Sequence, residues 1–248
     1  MTYCLGVLLK RGLILACDSR SNAGVDMVAA VQKLAVLARP DERVIAILSA
    51  GNLATTQAVV EEIRQAAGSD AEGLDVLAAH TLFDVAGVVG AKLRAVVDRN
   101  AKYVDPFGDP NASFLVAGQI RGEPPRLFEV YSAGNFVEAS TRTFFLQIGE
   151  TKYGKPILDR ALSPDSTLDD AAKLALLSFD ATIRSNLSVG LPIDLMRYEA
   201  DCFQARVVTL DEDNAYWRTL REDYSEGLAA LIDRLPAPPP DLAPSTAV

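Results

Sequence analysis

The chain has 248 residues, with 24 Lys and Arg against 33 Asp and Glu, a net charge of −9, one histidine and three cysteines. With 49% hydrophobic and 23% charged residues it reads as a globular protein, which excludes disordered, collagen-like and disulfide-stapled chains. The acidic balance argues against a nucleic acid or an anionic membrane as partner, because phosphate neutralisation needs a basic patch, and leaves peptides and small molecules as ligands.

Tyr3 to Leu9 and Leu13 to Ser19 read as two strands around Lys10-Arg11-Gly12, a three-residue hairpin loop with the glycine such loops favour. In that register residue i faces residue 22 − i, so Cys4 lies opposite Asp18 and Thr2 on its diagonal, about 7–8 Å away. A second hairpin follows, from Val31 to Ala38 and from Arg43 to Ser49, around Arg39-Pro40-Asp41-Glu42. The spacing then turns helical, from an N-cap at Asn52 to a stop at Gly68, and again from Leu74 to Lys102. Strands return at Ser113 to Ile120, Arg126 to Tyr131, Phe136 to Ser140 and Thr143 to Ile148. Helices are predicted at Lys152 to Leu162 and Leu168 to Leu187, strands at Ile193 to Phe203 and Ala205 to Leu210, and a last helix at Ala215 to Leu235.

Both helix groups need an apolar face to cover, so the order predicts two antiparallel sheets face to face with helices on each outer side. This is an α+β fold, a four-layer αββα sandwich. Residues 1–235 are expected to form a single domain, and 236–248 a Pro-rich, extended and mobile tail. Lys10 and Arg11 split the apolar start and no basic region precedes it, unlike a signal peptide, and no stretch reaches the roughly 18 apolar residues of a membrane span. Cys4, Cys17 and Cys202 show no metal spacing, and His80 alone cannot complete a zinc site. A cytoplasmic protein without metal or organic cofactor is expected.

The single His80, placed mid-helix among apolar neighbours, disposes of a Ser-His-Asp triad, and no phosphate-loop, dinucleotide or zinc-protease pattern is present. The start offers another route. Removal of Met1 leaves Thr2 with a free α-amine beside its own hydroxyl, and an amine with a reference pKa of about 7.7–8.0 can serve as that hydroxyl's base. Lys33 shares the apolar face of its strand with Val31, Ala35 and Leu37, and a lysine so placed needs a partner, for which Asp18 is suited. A buried ammonium beside Thr2 would stabilise the developing alkoxide and depress the amine's pKa.

The segment Asp18-Ser19-Arg20-Ser21-Asn22-Ala23-Gly24 resembles the Asp-Thr/Ser-Arg-x-x-x-Gly segment of proteasome-type β subunits. Ser49-Ala50-Gly51-Asn52-Leu53-Ala54 is similar to their Ala-Gly loop, Gln147-Ile148-Gly149 to their Gly-rich turn, and Arg184 to Leu195 to their Arg-Asp-x-x-Ser-x-Gly segment. Within that N-terminal nucleophile hydrolase family the start Met-Thr-Tyr-Cys and the acidic C-terminal helix look most like the bacterial ancestral β-subunit (Anbu) branch. The resemblance implies a threonine peptidase with Thr2 as nucleophile, Asp18 and Lys33 as its charge partners, Ser188 near the threonine amine and Gly51 as the oxyanion donor. It further implies a substrate strand along Ser21, Asn22 and Gly51, with Ser21, Val31, Ala35, Ser49 and Leu53 lining the pocket before the cleaved bond. A homo-oligomeric ring or ring-like stack acting on peptides or unfolded protein follows from the same resemblance, with the helix from Leu74 at its interfaces.

Three positions depart from the family pattern. Thr2 to Lys33 is one residue shorter, Ser185 stands where the family has aspartate, and Glu150 stands where it has the serine of the Gly-rich turn, so the proton network around Thr2 must differ. Two other readings fit the same residues: a non-catalytic scaffold or binding subunit of this fold, and an amidase for small amides. Glu61-Glu62-Arg64 and Arg221-Glu222-Asp223 read as solvated helix faces, and Cys4 and Cys17 as small core residues.

Overall fold

Strands β1 (Tyr3–Leu9) and β2 (Gly12–Asp18) are buried along almost their whole length. Such continuous apolar runs, without alternation, belong to a sheet covered on both faces. A computed structural model describes residues 2–22, 28–69 and 75–239, and in it β1 and β2 sit at the centre of one five-stranded sheet. Its order is β10 (Phe145–Gly149), β1, β2, β11 (Ile193–Glu199), β12 (Arg206–Leu210), with neighbouring strands antiparallel throughout. The second sheet runs in sequence order through β5 (Leu34–Arg39), β6 (Arg43–Gly51), β7 (Ala112–Ile120), β8 (Arg126–Val130) and β9 (Phe136–Glu138).

Three apolar clusters fill the spaces between layers. Cys4, Leu13, Leu15, Cys17, Leu48, Leu115 and Met196 lie between the sheets. Helices α3 (Lys155–Ala161), α4 (Leu168–Ser185) and α5 (Ala215–Ile232) cover the outer face of the first sheet through Leu158, Leu176, Phe179 and Trp217. Helices α1 (Leu53–Ala66) and α2 (Leu82–Val104) cover the second through Val59, Ile63, Val85, Val89 and Leu93. The αββα sandwich expected from the element order is the observed fold.

Several local expectations change. The first hairpin turns on two residues, Lys10-Arg11, not three, so Leu9 pairs with Gly12 and Cys4 with Cys17. Gly12 is drawn into the ladder at φ 142°, where a side chain would collide with the Tyr198 carbonyl, so its glycine serves the strand and not the loop. A short hairpin of β3 (Arg20–Asn22) and β4 (Val28–Ala30) precedes β5, and Val31 to Lys33 link to it outside any strand. The long helix begins at Leu82, because Thr81 and Asp84 form a reciprocal capping box, a Thr-x-x-Asp signal stronger than the apolar spacing upstream. His80 therefore precedes the helix cap and is exposed, while Leu74 lies outside the described residues. The strand expected at Thr143 begins at Phe145 and crosses to the first sheet, pairing with β1. The last helix stops at Ile232, and of the Pro-rich tail residues 240–248 lie outside the described residues.

The two charge clusters are not merely solvated. Glu62 on α1 bonds Arg99 (2.8 Å) and Lys92 (3.5 Å) on α2. Asp180 on α4 accepts from Arg184 (2.9 Å) and from Arg221 of α5 (2.5 Å). The Glu62 pairs and Arg221–Asp180 tie neighbouring helices to one another, while Arg184–Asp180 lies within α4.

Phe179 is fully buried and its ring lies 4.3 Å, centroid to centroid, from that of Tyr3. Phe179→Ala is expected to lower the unfolding free energy by about 3–5 kcal/mol, read from urea denaturation, through lost transfer energy and a cavity behind β1.

Candidate active site

The one-residue change in the hairpin puts Tyr3 beside Asp18. The Tyr3 N–H donates to Asp18 Oδ1 at 2.9 Å, so Thr2 is the residue next to a direct ligand of the carboxylate and not its diagonal neighbour. Lys33 Nζ donates to the same oxygen at 2.8 Å and to the Arg20 carbonyl at 2.6 Å. Asp18 Oδ2 accepts from the N–H groups of Arg20 (3.2 Å) and Gly190 (3.3 Å). Asp18 is wholly buried and Lys33 is 7% exposed. Burial pushes the Asp18 carboxyl above its ordinary value, against the opposing pull of the Lys33 ammonium and the two backbone donors of Tyr3 and Gly190.

Lys33 does not occupy a strand face as the period predicted. It stands just before β5, where its carbonyl accepts from Ser49 N–H at 3.1 Å, and its side chain reaches across to Asp18 on the other sheet. That position still brings the two residues together.

Thr2 is held by its backbone. Its carbonyl accepts the Glu150 N–H at 2.7 Å, immediately after the Tyr3–Gly149 pair of β1 and β10. Gly149 has φ 82°, and a Cβ there would run into the Thr2 carbonyl, so glycine is what lets the two strands close at the threonine. Gly51 ends β6 at φ 112° against the Asn111 carbonyl, directly before Asn52, whose side chain caps α1 by accepting from Thr55 N–H.

Ser188 is half-buried in the turn between α4 and β11. That turn is fixed from three sides: Asn186 Oδ1 accepts the Ser188 N–H (2.9 Å), Arg20 Nη1 donates to the Leu187 carbonyl (2.9 Å), and Gly190 reaches Asp18. Ser185 is exposed at the last position of α4, whereas Glu150 is buried, accepting from Lys152 N–H (3.1 Å) and Asn186 Nδ2 (2.9 Å).

Of the substrate residues read from the sequence, Ser21 and Asn22 lie on β3, and Ala23 and Gly24 lie outside the described residues. Val31 donates to the Ser19 carbonyl (2.7 Å) and Ser49 to that of Lys33, so both flank the ion pair. Ala35 is buried on β5 opposite Ile47, and Leu53, partly exposed, begins α1 two residues after Gly51. Cys4 and Cys17 face each other, free and fully buried, in the inter-sheet core, where a hydrogen bond with Cys4 and burial raise the pKa of the Cys17 thiol.

Sequence reasoning missed Tyr3, Gly190 and Asn186 as members of this network. The signal for Asn186 was its place two residues before Ser188, where an Asn side chain folds back on the backbone N–H two positions on. Lys33→Met, which leaves Asp18 buried without its cation, is expected to cost about 3–5 kcal/mol in urea unfolding.

A family description, proteasome subunit, matches residues 2–195. Proteasome subunit beta 2 of Pyrobaculum calidifontis is 25% identical over 194 residues, 77% of this chain and 86% of that protein. Among solved structures, Anbu (ancestral beta-subunit) from Yersinia bercovieri is 42% identical, with 96% of this chain and 98% of that chain covered and a TM-score of 0.90. The helical assembly of the Anbu complex from Pseudomonas aeruginosa is also 42% identical, with 97% and 99% covered and a TM-score of 0.92. With four-fifths of its length inside the family's match and near-complete overlap with these structures, the chain belongs to the proteasome subunit family and is most like its Anbu, or ancestral β-subunit, branch.

Proposed function

We propose that the protein is a threonine peptidase that cleaves peptide bonds through an ester on Thr2, freed at its amine by removal of Met1. The observation that carries this reading is the buried Asp18–Lys33 pair one residue from Thr2. An ammonium held out of water there lowers the energy of an alkoxide on Thr2 and the pKa of a neighbouring amine, so the α-amine can take the hydroxyl proton. The Thr2 oxygen then attacks the substrate carbonyl, and the Gly51 N–H receives the oxyanion, a role worth about 2.7–4 kcal/mol in comparable sites. The amine returns its proton to the leaving amide nitrogen, and water hydrolyses the ester by the same route reversed. The Ser188 hydroxyl serves as a hydrogen-bonding partner of the amine.

An extended peptide would add a strand beside Ser21, Asn22 and Gly51, with main-chain hydrogen bonds giving affinity. Small neutral side chains at Ser21, Val31, Ala35, Ser49 and Leu53 favour an apolar or uncharged residue before the cleaved bond. We further infer that residues 1–235 act as one peptidase unit, that the chain self-associates in a ring or ring-like stack, as the helical assembly of the Pseudomonas aeruginosa relative supports, and that it works in the cytoplasm. The three unpaired cysteines fit that reducing compartment.

Peptide epoxyketones need a hydroxyl and a free α-amine on one residue to close their ring adduct, which makes them a direct test. Intact mass and peptide mapping are expected to find a chain one methionine short, with a single adduct on Thr2 that Thr2→Ala abolishes and Thr2→Ser keeps. A chain that retains Met1, or a trimmed chain that takes no adduct, would overturn the peptidase reading in favour of a scaffold subunit. The same labelling applied to Lys33→Ala is expected to slow adduct formation by about 100-fold or more.

A further inference from the structure

Glu150 is a carboxylate with only 6% of its surface exposed, and no ion pair to it exists among the described residues. Burying an anion is costly unless hydrogen bonds satisfy it, so such a residue is retained where its position matters. Its main chain and side chain point to different parts of the site. The backbone N–H holds the Thr2 carbonyl at 2.7 Å. The carboxylate takes the Lys152 N–H on Oε1 (3.1 Å) and Asn186 Nδ2 on Oε2 (2.9 Å). Asn186 in turn spends its carbonyl oxygen on the Ser188 N–H, and two residues further on Gly190 donates to Asp18.

These bonds close a circuit from Thr2 through Glu150, Asn186 and Ser188 to Gly190 and Asp18, and back to the residue after Thr2. We propose that Glu150 and Asn186 are positioning residues that pin the 186–190 turn to the Thr2 strand and so set where the Ser188 hydroxyl and the Gly190 N–H stand relative to the nucleophile. The family pattern has aspartate at position 185, which here is an exposed serine. The work of fixing this turn falls on the neighbouring Asn186, whose amide is the donor that a carboxylate at 150 requires. The two departures are then one compensated exchange and not two losses. This inference rests on Thr2 being the nucleophile only for its catalytic consequence; the pinning of the turn stands by itself.

The donor–acceptor order permits a swap. In Glu150→Gln one side-chain oxygen still serves Lys152 N–H, but the amide NH2 then meets the NH2 of Asn186, and the link breaks. In Asn186→Asp two carboxylates meet instead. The double variant Glu150→Gln/Asn186→Asp restores a donor at 150 and an acceptor at 186, keeps the bond to Ser188 N–H, and leaves the net charge unchanged.

Each single variant is expected to form the epoxyketone adduct on Thr2 roughly 10- to 100-fold more slowly at saturating probe, with the half-saturating concentration changed less than about twofold. Amide exchange of the peptide spanning 186–190 is expected to quicken in both single variants, and the double variant to recover both readouts to within about threefold of the parent. Single variants that react and exchange like the parent, or a double variant no better than either single one, would overturn the proposal. So would a general weakening in which exchange quickens throughout the first sheet as much as in the turn. If the parent itself takes no adduct, the peptidase reading fails separately, and the exchange comparison still decides whether Glu150 and Asn186 hold the turn.

Discussion

Asp18 ends β2 of the first sheet and Lys33 stands just before β5 of the second, and their buried ion pair links the two sheets beside the candidate nucleophile. An ion pair taken out of water repays its desolvation only when each lone pair and proton finds a partner. Here the carboxylate receives four donors, from Tyr3, Lys33, Arg20 and Gly190, which arrive from β1, the segment before β5, β3 and the turn before β11. One buried carboxylate thus fixes the relative placement of four chain segments. The surrounding apolar packing supplies stability, but it would tolerate small slides that the hydrogen bonds do not.

Thr2 itself contributes little to this framework beyond its carbonyl. It is carried by its neighbours: Tyr3 is bonded to Asp18 and stacked on Phe179, and Gly149 is bare enough to let β10 close against the threonine backbone. A threonine held by its main chain in this way needs no bond from its side-chain oxygen to stay in place. The glycine at Gly51 is a similar case: a strand end at positive φ, followed at once by the cap of α1, turns the chain sharply against the Asn111 carbonyl.

Much of the architecture was legible because hydrophobic period and turn chemistry agree over long elements. The runs of β6 and β7, the Asn52 cap and the Gly68 stop all carry local signals that the packed structure keeps. What was not legible turned on choices between near-equal local solutions. Lys10-Arg11-Gly12 can serve as a three-residue loop or surrender its glycine to the strand, and only the approach of Tyr198 from β11 decides for the latter. The Thr81 capping box outweighs the apolar residues before it, and β10 leaves its sequence neighbours because β1 has an open edge to fill. At the site, the pairing of Asp18 with Lys33 was legible because a lysine among apolar neighbours needs a carboxylate partner. Asn186 and Tyr3, which act through an amide and a main-chain N–H, needed the three-dimensional register to be seen.

β1 lies in the interior of its sheet, between β2, its immediate successor, and β10, which the ribosome delivers far later. The carboxylate cluster closes later still, since Gly190 and β11 are needed to complete it. Pairings of such wide sequence separation form slowly, because loop closure must precede the contacts that reward it. β1 is therefore among the last strands to reach its final surroundings. Until β10 and β11 are in place the Thr2 carbonyl lacks its Glu150 donor and the Asp18 carboxylate lacks Gly190, so the surroundings of Thr2 are complete only in a nearly full-length chain.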